Sequence, residues 1–161
     1  MSITTKSDEE ALRLGYYYDE KIAKKSLLII EKLFNVHLYK WQTDFLMQYF
    51  GWRNPKGGYR FNDIRIWIPK KNGKTWLISL IVAYKLFELN RAKIYSVATV
   101  SQQAMIVQRG VESLFMNSEA LSPHVKNKTG MIRIYETPRR AIVNRFTNST
   151  YYALAKGVGS N

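Results

Sequence analysis

Between Asp19 and Phe34, the apolar residues Ile22, Ile29, Ile30, Leu33 and Phe34 recur near helical spacing. Lys21, Lys24, Lys25 and Lys32 take much of the remainder, so this stretch predicts an amphipathic helix. A second, shorter helix is predicted from about Lys40 to Phe50, with Trp41, Phe45, Leu46 and Tyr49 on one side and Gly51 as its stop. The rhythm then changes. Ile64, Ile66 and Ile68 alternate with Arg65 and Trp67, which predicts a strand. Lys74 to Leu89 carries the strongest helical signal in the chain, and Lys93 to Thr99 reads as another strand. Ser101 is placed to cap a helix running to about Phe115. After Pro123 the pattern shortens: Met131 to Tyr135, Arg140 to Asn144 and Thr150 to Ala155 predict short strands joined by turns.

Between these elements lie turn chemistries, at Asn54–Gly58, at Pro69–Gly73 and in the last residues, KGVGSN. Ser2 to Glu10 is polar and reads as frayed. Residues 1–18 are therefore expected to be a flexible N-terminus, and 19–161 one domain. Strand, loop, helix, strand, helix is the grammar of an α/β fold, a parallel sheet with flanking helices, here preceded by a helical segment. No internal repeat or low-complexity stretch interrupts it.

Composition narrows the function classes. An apolar share of 46% in 161 residues is enough for a core, which argues against wholesale disorder. The chain has no cysteine, which removes disulfides and cysteine zinc sites. His37 and His124 lie far apart in the chain, against a histidine metal cluster. The N-terminal residues contain no apolar signal-peptide core. The longest apolar stretch, Trp76 to Leu89, is interrupted by Ser79, Lys85 and Glu88 and is too short to span a bilayer, so no membrane partner is expected. A formal charge of +13 points to a polyanion partner, or else to a solvated lysine surface with no special role. Lys126, Lys128, Arg139 and Arg140 are candidate DNA-facing residues under the first reading.

The candidate chemistry is PKKNGKT, Pro69 to Thr75, between a predicted strand and a predicted helix. A phosphate-binding loop needs a glycine where the backbone curls, a lysine that reaches the β- and γ-phosphates, and a hydroxyl for Mg²⁺. Gly73, Lys74 and Thr75 supply these in order. The N–H groups opening the following helix, and its dipole, add to the attraction for anions. One feature departs from GxxxxGK[ST]: the first glycine is replaced by Ile68. The residues alone leave three readings: a P-loop motor, a helicase-like or other P-loop ATPase, and a basic nucleic-acid-binding module in which GKT is incidental.

With its neighbours, the loop resembles the deviant Walker A of the large terminase subunits of tailed phages, which tolerates the missing first glycine. Trp41-Gln42, Phe45-Leu46 and Phe50-Gly51-Trp52 resemble that family's WQ…FGW segment, and Arg60-Phe61 its basic-aromatic pair. Ile94 to Ala104 resembles the strand and AxxxxQA helix start that follow. The resemblance covers about residues 20–115, in order. It implies a P-loop NTPase fold of the RecA/ASCE type and an ATP- and Mg²⁺-dependent motor that translocates double-stranded viral DNA into a procapsid. It also implies a terminase small subunit, a portal protein and a homo-oligomeric ring as partners, in the host cytoplasm and transiently at the procapsid portal.

Carried over by residue, the resemblance implies that Gln42, with Trp41 nearby, contacts adenine. Pro69, Lys71, Asn72 and Gly73 would shape the loop, Lys74 would hold the β- and γ-phosphates, and Thr75 the metal. Lys70 stands where many members carry an arginine that senses the γ-phosphate, and its amine lacks the bidentate fork. Gln102 and Gln103 are candidate coupling residues. The family's Walker B acids are not found: after Thr75 the acids are Glu88, Glu112, Glu119 and Glu136, with no Asp-Glu pair. Tyr16 to Glu20 mimics the pattern but precedes the loop. Residues 19–161 are accordingly expected to be a partial ATPase domain without the nuclease domain, and the isolated chain is expected not to turn ATP over.

Overall fold

The fold is that of a computed structural model, which describes residues 5–127, 129–136 and 140–155. The chain divides into two compact units. One comprises Met1–Lys32 and Val36–Trp67, the other Leu33–Asn35 and Ile68–Asn161. This division falls immediately before the candidate loop.

In the first unit the polar N-terminal stretch is a helix, α1 (Lys6–Arg13), where the sequence reads as frayed. Thr5 and Asp8 form a reciprocal cap. The Asp8 N–H donates to Thr5 Oγ1 at 3.2 Å, and the Thr5 N–H donates to Asp8 Oδ2 at 2.9 Å. Two otherwise orphaned donors are satisfied, which polarity alone does not reveal. β1 (Tyr17–Tyr18) follows, then α2 (Glu20–Phe34), whose start is held by Asp19 Oδ1 accepting from the Ile22 N–H. α3 (Lys40–Gly51) leads into β2 (Trp52–Arg53), which pairs antiparallel with β1.

Gly51 has a packing role rather than a left-handed stop. A Cβ there would lie 2.3 Å from the Tyr18 ring, so only glycine admits that ring. At Asn54–Gly58 the expected turn forms: Asn54 Oδ1 accepts from the Lys56 and Gly58 N–H groups, and Gly57 takes φ +81°.

Ile64–Ile68 corrects the sequence reading. The segment has a strand's alternation but forms no strand, and it is paired into neither of the described sheets. Alternation says which faces differ. A ladder needs a neighbour. Trp67 is 90% exposed as a result.

The second unit is built on α4 (Lys74–Glu88), β3 (Lys93–Ala98), α5 (Ser101–Asn117), α6 (Ser122–Lys126), β4 (Ile132–Tyr135), β5 (Ala141–Asn144) and β6 (Ser149–Ala155). The sheet order is β3-β6-β5-β4. β3 and β6 run parallel, Ile94 opposite Tyr151, while β4-β5-β6 is an antiparallel meander. The expected α/β character holds, with a mixed rather than wholly parallel sheet. Few residues separate the last three strands in sequence, and a connection that short can return the chain only antiparallel.

α4 and α5 cover one face of the sheet. Its buried side chains include Ile132, Ile142 and Tyr151, whose hydroxyl lies 2.6 Å from Ser96 Oγ. On the opposite face Tyr95 stacks on Tyr152, and Val97 is 75% exposed. α5 begins at Ser101 itself, with Val100 in the cap position and no side-chain cap, so Ser101 is not the capping residue expected. The segment KGVGSN lies outside the described residues.

Candidate functional site: the phosphate loop at the start of α4

α4 is apolar almost all round. Leu77, Leu80, Val82, Ala83, Tyr84 and Leu86 are all buried, so the helix is fixed by its surroundings along its length. Ser79 and Gly110 set its closest approach to α5. Ser79 Oγ donates to the carbonyls of Thr75 and Val107, and a Cβ at Gly110 would fall 2.3 Å from that oxygen. Phe34, Phe87 and Phe115 form an aromatic cluster in the same unit, and Ser118 Oγ donates to the Leu33 carbonyl at 2.5 Å. A rigid rod of this kind holds its N-terminus in one place.

That N-terminus is the loop. Gly73 is the N-cap of α4 with φ +75° and ψ 15°, a left-handed conformation that glycine takes without a Cβ clash. Glycine contributes no capping side chain, and the first helical bond is Leu77 N–H to the Gly73 carbonyl at 2.9 Å. The N–H groups of Lys74, Thr75 and Trp76 therefore precede the ladder and have no acceptor within the helix. Lys71 is also left-handed, at φ +68°. Left-handed residues at 71 and 73 flank Asn72, and such alternation turns successive backbone N–H groups toward one concavity. For a lysine this conformation costs about 1–2 kcal/mol, a strain that points to function rather than to stability. No sequence signal separates Lys71 from its neighbour Lys70.

The side chains follow from the backbone. Lys70, Lys71, Asn72, Lys74 and Thr75 are exposed, and no acid occurs between Pro69 and Thr75. Three ammonium groups, unpaired helix-end donors and a hydroxyl one residue past the lysine form a donor set that fits polyphosphate and a hard divalent cation. Residues 40–157 match the family described as terminase large subunit, ATPase domain. The chain belongs to this family. Its fold is similar to the crystal structure of the HK97 bacteriophage large terminase, with a TM-score of 0.67 and 22% identity over 86% of this chain. It spans 28% of that protein's length. No curated protein matches the chain.

The remaining terminase-like residues fall elsewhere. Trp41 and Gln42 open α3 in the first unit. Gln42 is buried, and its Oε1 accepts from the Tyr39 N–H at 2.9 Å, so its carboxamide oxygen helps hold the start of α3. Trp41 is half-buried. Gln102 and Gln103 are exposed on the first turn of α5.

Arg60, read only as part of a basic-aromatic pair, is a hub of the first unit. Its guanidinium lies over Trp52 and Phe61, bonds Asp8 Oδ1 at 2.5 Å, and donates to the Ser7 carbonyl and hydroxyl. Among the acids after Thr75, Glu136 does follow a strand, but β4 is a sheet edge with Tyr135 exposed. Glu88 ends α4 and Glu112 lies on α5.

Proposed function

We propose that this terminase ATPase-domain chain is the nucleotide-binding front of an ATP-driven motor that moves double-stranded viral DNA into a procapsid. The observation that carries the reading is left-handed Gly73 at the uncapped start of a buried helix, followed at once by Lys74 and Thr75. Pro69 opens the loop, Lys70 to Gly73 would wrap the phosphates with backbone N–H groups, Lys74 would neutralise the β- and γ-oxygens, and Thr75 would offer Mg²⁺ its hydroxyl. When bound, Mg²⁺ offsets charge on the β- and γ-phosphates. Lys70 senses the γ-phosphate as a point charge.

In this reading Trp41 and Gln42 lie against the adenine. The partners are DNA, a terminase small subunit, a portal protein and further copies in a ring, at the procapsid portal in the host cytoplasm.

None of the acids after Thr75 in the described residues ends a buried strand, so the isolated chain binds Mg-ATP weakly at best and does not turn it over. The test is nucleotide binding and phosphate release by the purified chain and by Lys74→Ala. Removing a charge-assisted phosphate contact is expected to weaken binding about tenfold or more, the effect of losing one bond to a charged group. Equal binding by both chains would remove the loop from the assignment. Release abolished by Lys74→Ala would instead overturn the inactivity.

A further inference from the structure

In the second unit, two turns are sewn into one rigid knob. The Leu89–Lys93 turn joins α4 to β3, and the Asn144–Ser149 turn joins β5 to β6. The Arg91 N–H donates to the Thr147 carbonyl at 2.8 Å, and Ser149 Oγ bridges the Leu89 carbonyl and the Ala92 N–H. Asn144 Nδ2 and Thr147 Oγ1 both donate to the Leu86 carbonyl. Asn144 Oδ1 in turn accepts from the Phe146 N–H at 2.9 Å.

On the backbone held this way the Phe146 ring is 81% exposed. Arg91, Lys93 and Arg145 are exposed on the same two turns, and neither turn contains an acid. An aromatic ring flanked by arginines on a fixed backbone is the composition of an interface anchor.

The complementary surface is on the first unit of the same sequence. A cavity of about 850 Å³ there is lined by three of the chain's 12 acids, Asp8, Glu20 and Asp44, and by Tyr18, Met47 and Phe61. Two basic residues also line it, and each is already held by a carboxylate, Lys40 by Asp44 and Arg60 by Asp8. The pairs Glu20–Lys24 and Asp44–Lys40 are exposed, and such pairs are weak and readily exchanged. The apolar lining suits a ring, and the acids at Glu20 and Asp44 suit arginine.

We propose that Phe146 of one copy, with Arg145, seats in this cavity of a second copy. The contact is heterologous, because knob and cavity are different surfaces, so repetition makes a ring or an open row. It needs no nucleotide and stands apart from the phosphate-loop reading.

The chain has no cysteine, so engineered thiols report the contact alone. Asn148→Cys chain, whose thiol sits on the same turn and leaves the Phe146 ring in place, is mixed with Met47→Cys chain under mild oxidation, without ATP, and covalent dimer is measured over time. Met116→Cys, an exposed position on α5, replaces Met47→Cys as the control. The expected result is dimer at least about tenfold faster than the control, the effect of one anchor residue. Arg145→Glu in the Asn148→Cys chain should suppress it, and Asp44→Lys in the partner should restore it. Circular dichroism checks that each variant is folded. As a second measurement, Phe146→Ala, which removes only an exposed ring, should lower self-association in sedimentation of the otherwise natural chain. Dimer at the control rate, indifference to Arg145→Glu, or a Phe146→Ala chain that loses only duplex-DNA binding would each overturn the proposal.

Discussion

Arg60 is held by stacking on Trp52, by the Asp8 carboxylate and by Ser7, in a pair whose side chains are each about 10% exposed. Removing one member of such a pair strands the other without its countercharge. Arg60→Ala is therefore expected to cost about 3 kcal/mol of unfolding free energy in urea, near the lower end for breaking a buried pair. Asp8 adds a pH signature. Burial by itself would raise its carboxyl, but hydrogen bonds from Thr5 and Arg60 and the Arg60 charge outweigh that and hold it below its ordinary value. A depressed carboxyl contributes stability above the unfolded value of about 3.9, and loses it as pH falls through the folded value. Thermal unfolding of the natural chain should thus drop more steeply below about pH 4 than that of Asp8→Asn. At the loop, Gly73→Ala places a Cβ on a left-handed residue, a strain of about 1–2 kcal/mol. A loop that moves to relieve that strain loses its concavity, so Mg-ATP affinity measured by calorimetry should fall with little loss of helix content.

At the scale of elements, α4 joins sequence legibility to function. Its apolar run was readable because it is buried on nearly every side, and its boundaries follow from Gly73 before it and the extended Leu89 after it. Its contact with α5 was not readable. Nothing in the sequence marks Gly110, inside a helix, as the point where Ser79 approaches, since that glycine matters only once two helices cross. Gly110→Ala is expected to destabilise the chain by about 1–3 kcal/mol in chemical denaturation, the usual cost of overpacking, despite alanine's better helix propensity. Ser79→Gly in the same chain should recover part of the loss by making room. The strand expected at Ile64–Ile68 shows the converse, since its local alternation is present and its pairing is not.

At the scale of the whole molecule, charge and fold act separately. The formal charge of +13 follows from composition and gives any contact with duplex DNA a steep salt dependence, whatever the fold. Raising salt should therefore weaken DNA retention by the natural chain and by Lys74→Ala alike, while only the natural chain retains Mg-ATP. Filter binding across a salt series checks both outcomes. Loss of DNA binding in Lys74→Ala at every salt would mean that the loop lysine serves the polyanion rather than the nucleotide.

By itself, the sequence determined the elements that are amphipathic or apolar over several turns, the α/β class, and the order Gly73, Lys74, Thr75. These are local properties, written in spacing and residue type. Tertiary structure decided the rest: the left-handed Lys71, the Arg60 hub, the glycine contacts at 51 and 110, and a mixed sheet in which β3 pairs with β6 across more than fifty residues. Each of these depends on which distant atoms meet. A residue's type limits the contacts it can make, and only the folded chain selects among them.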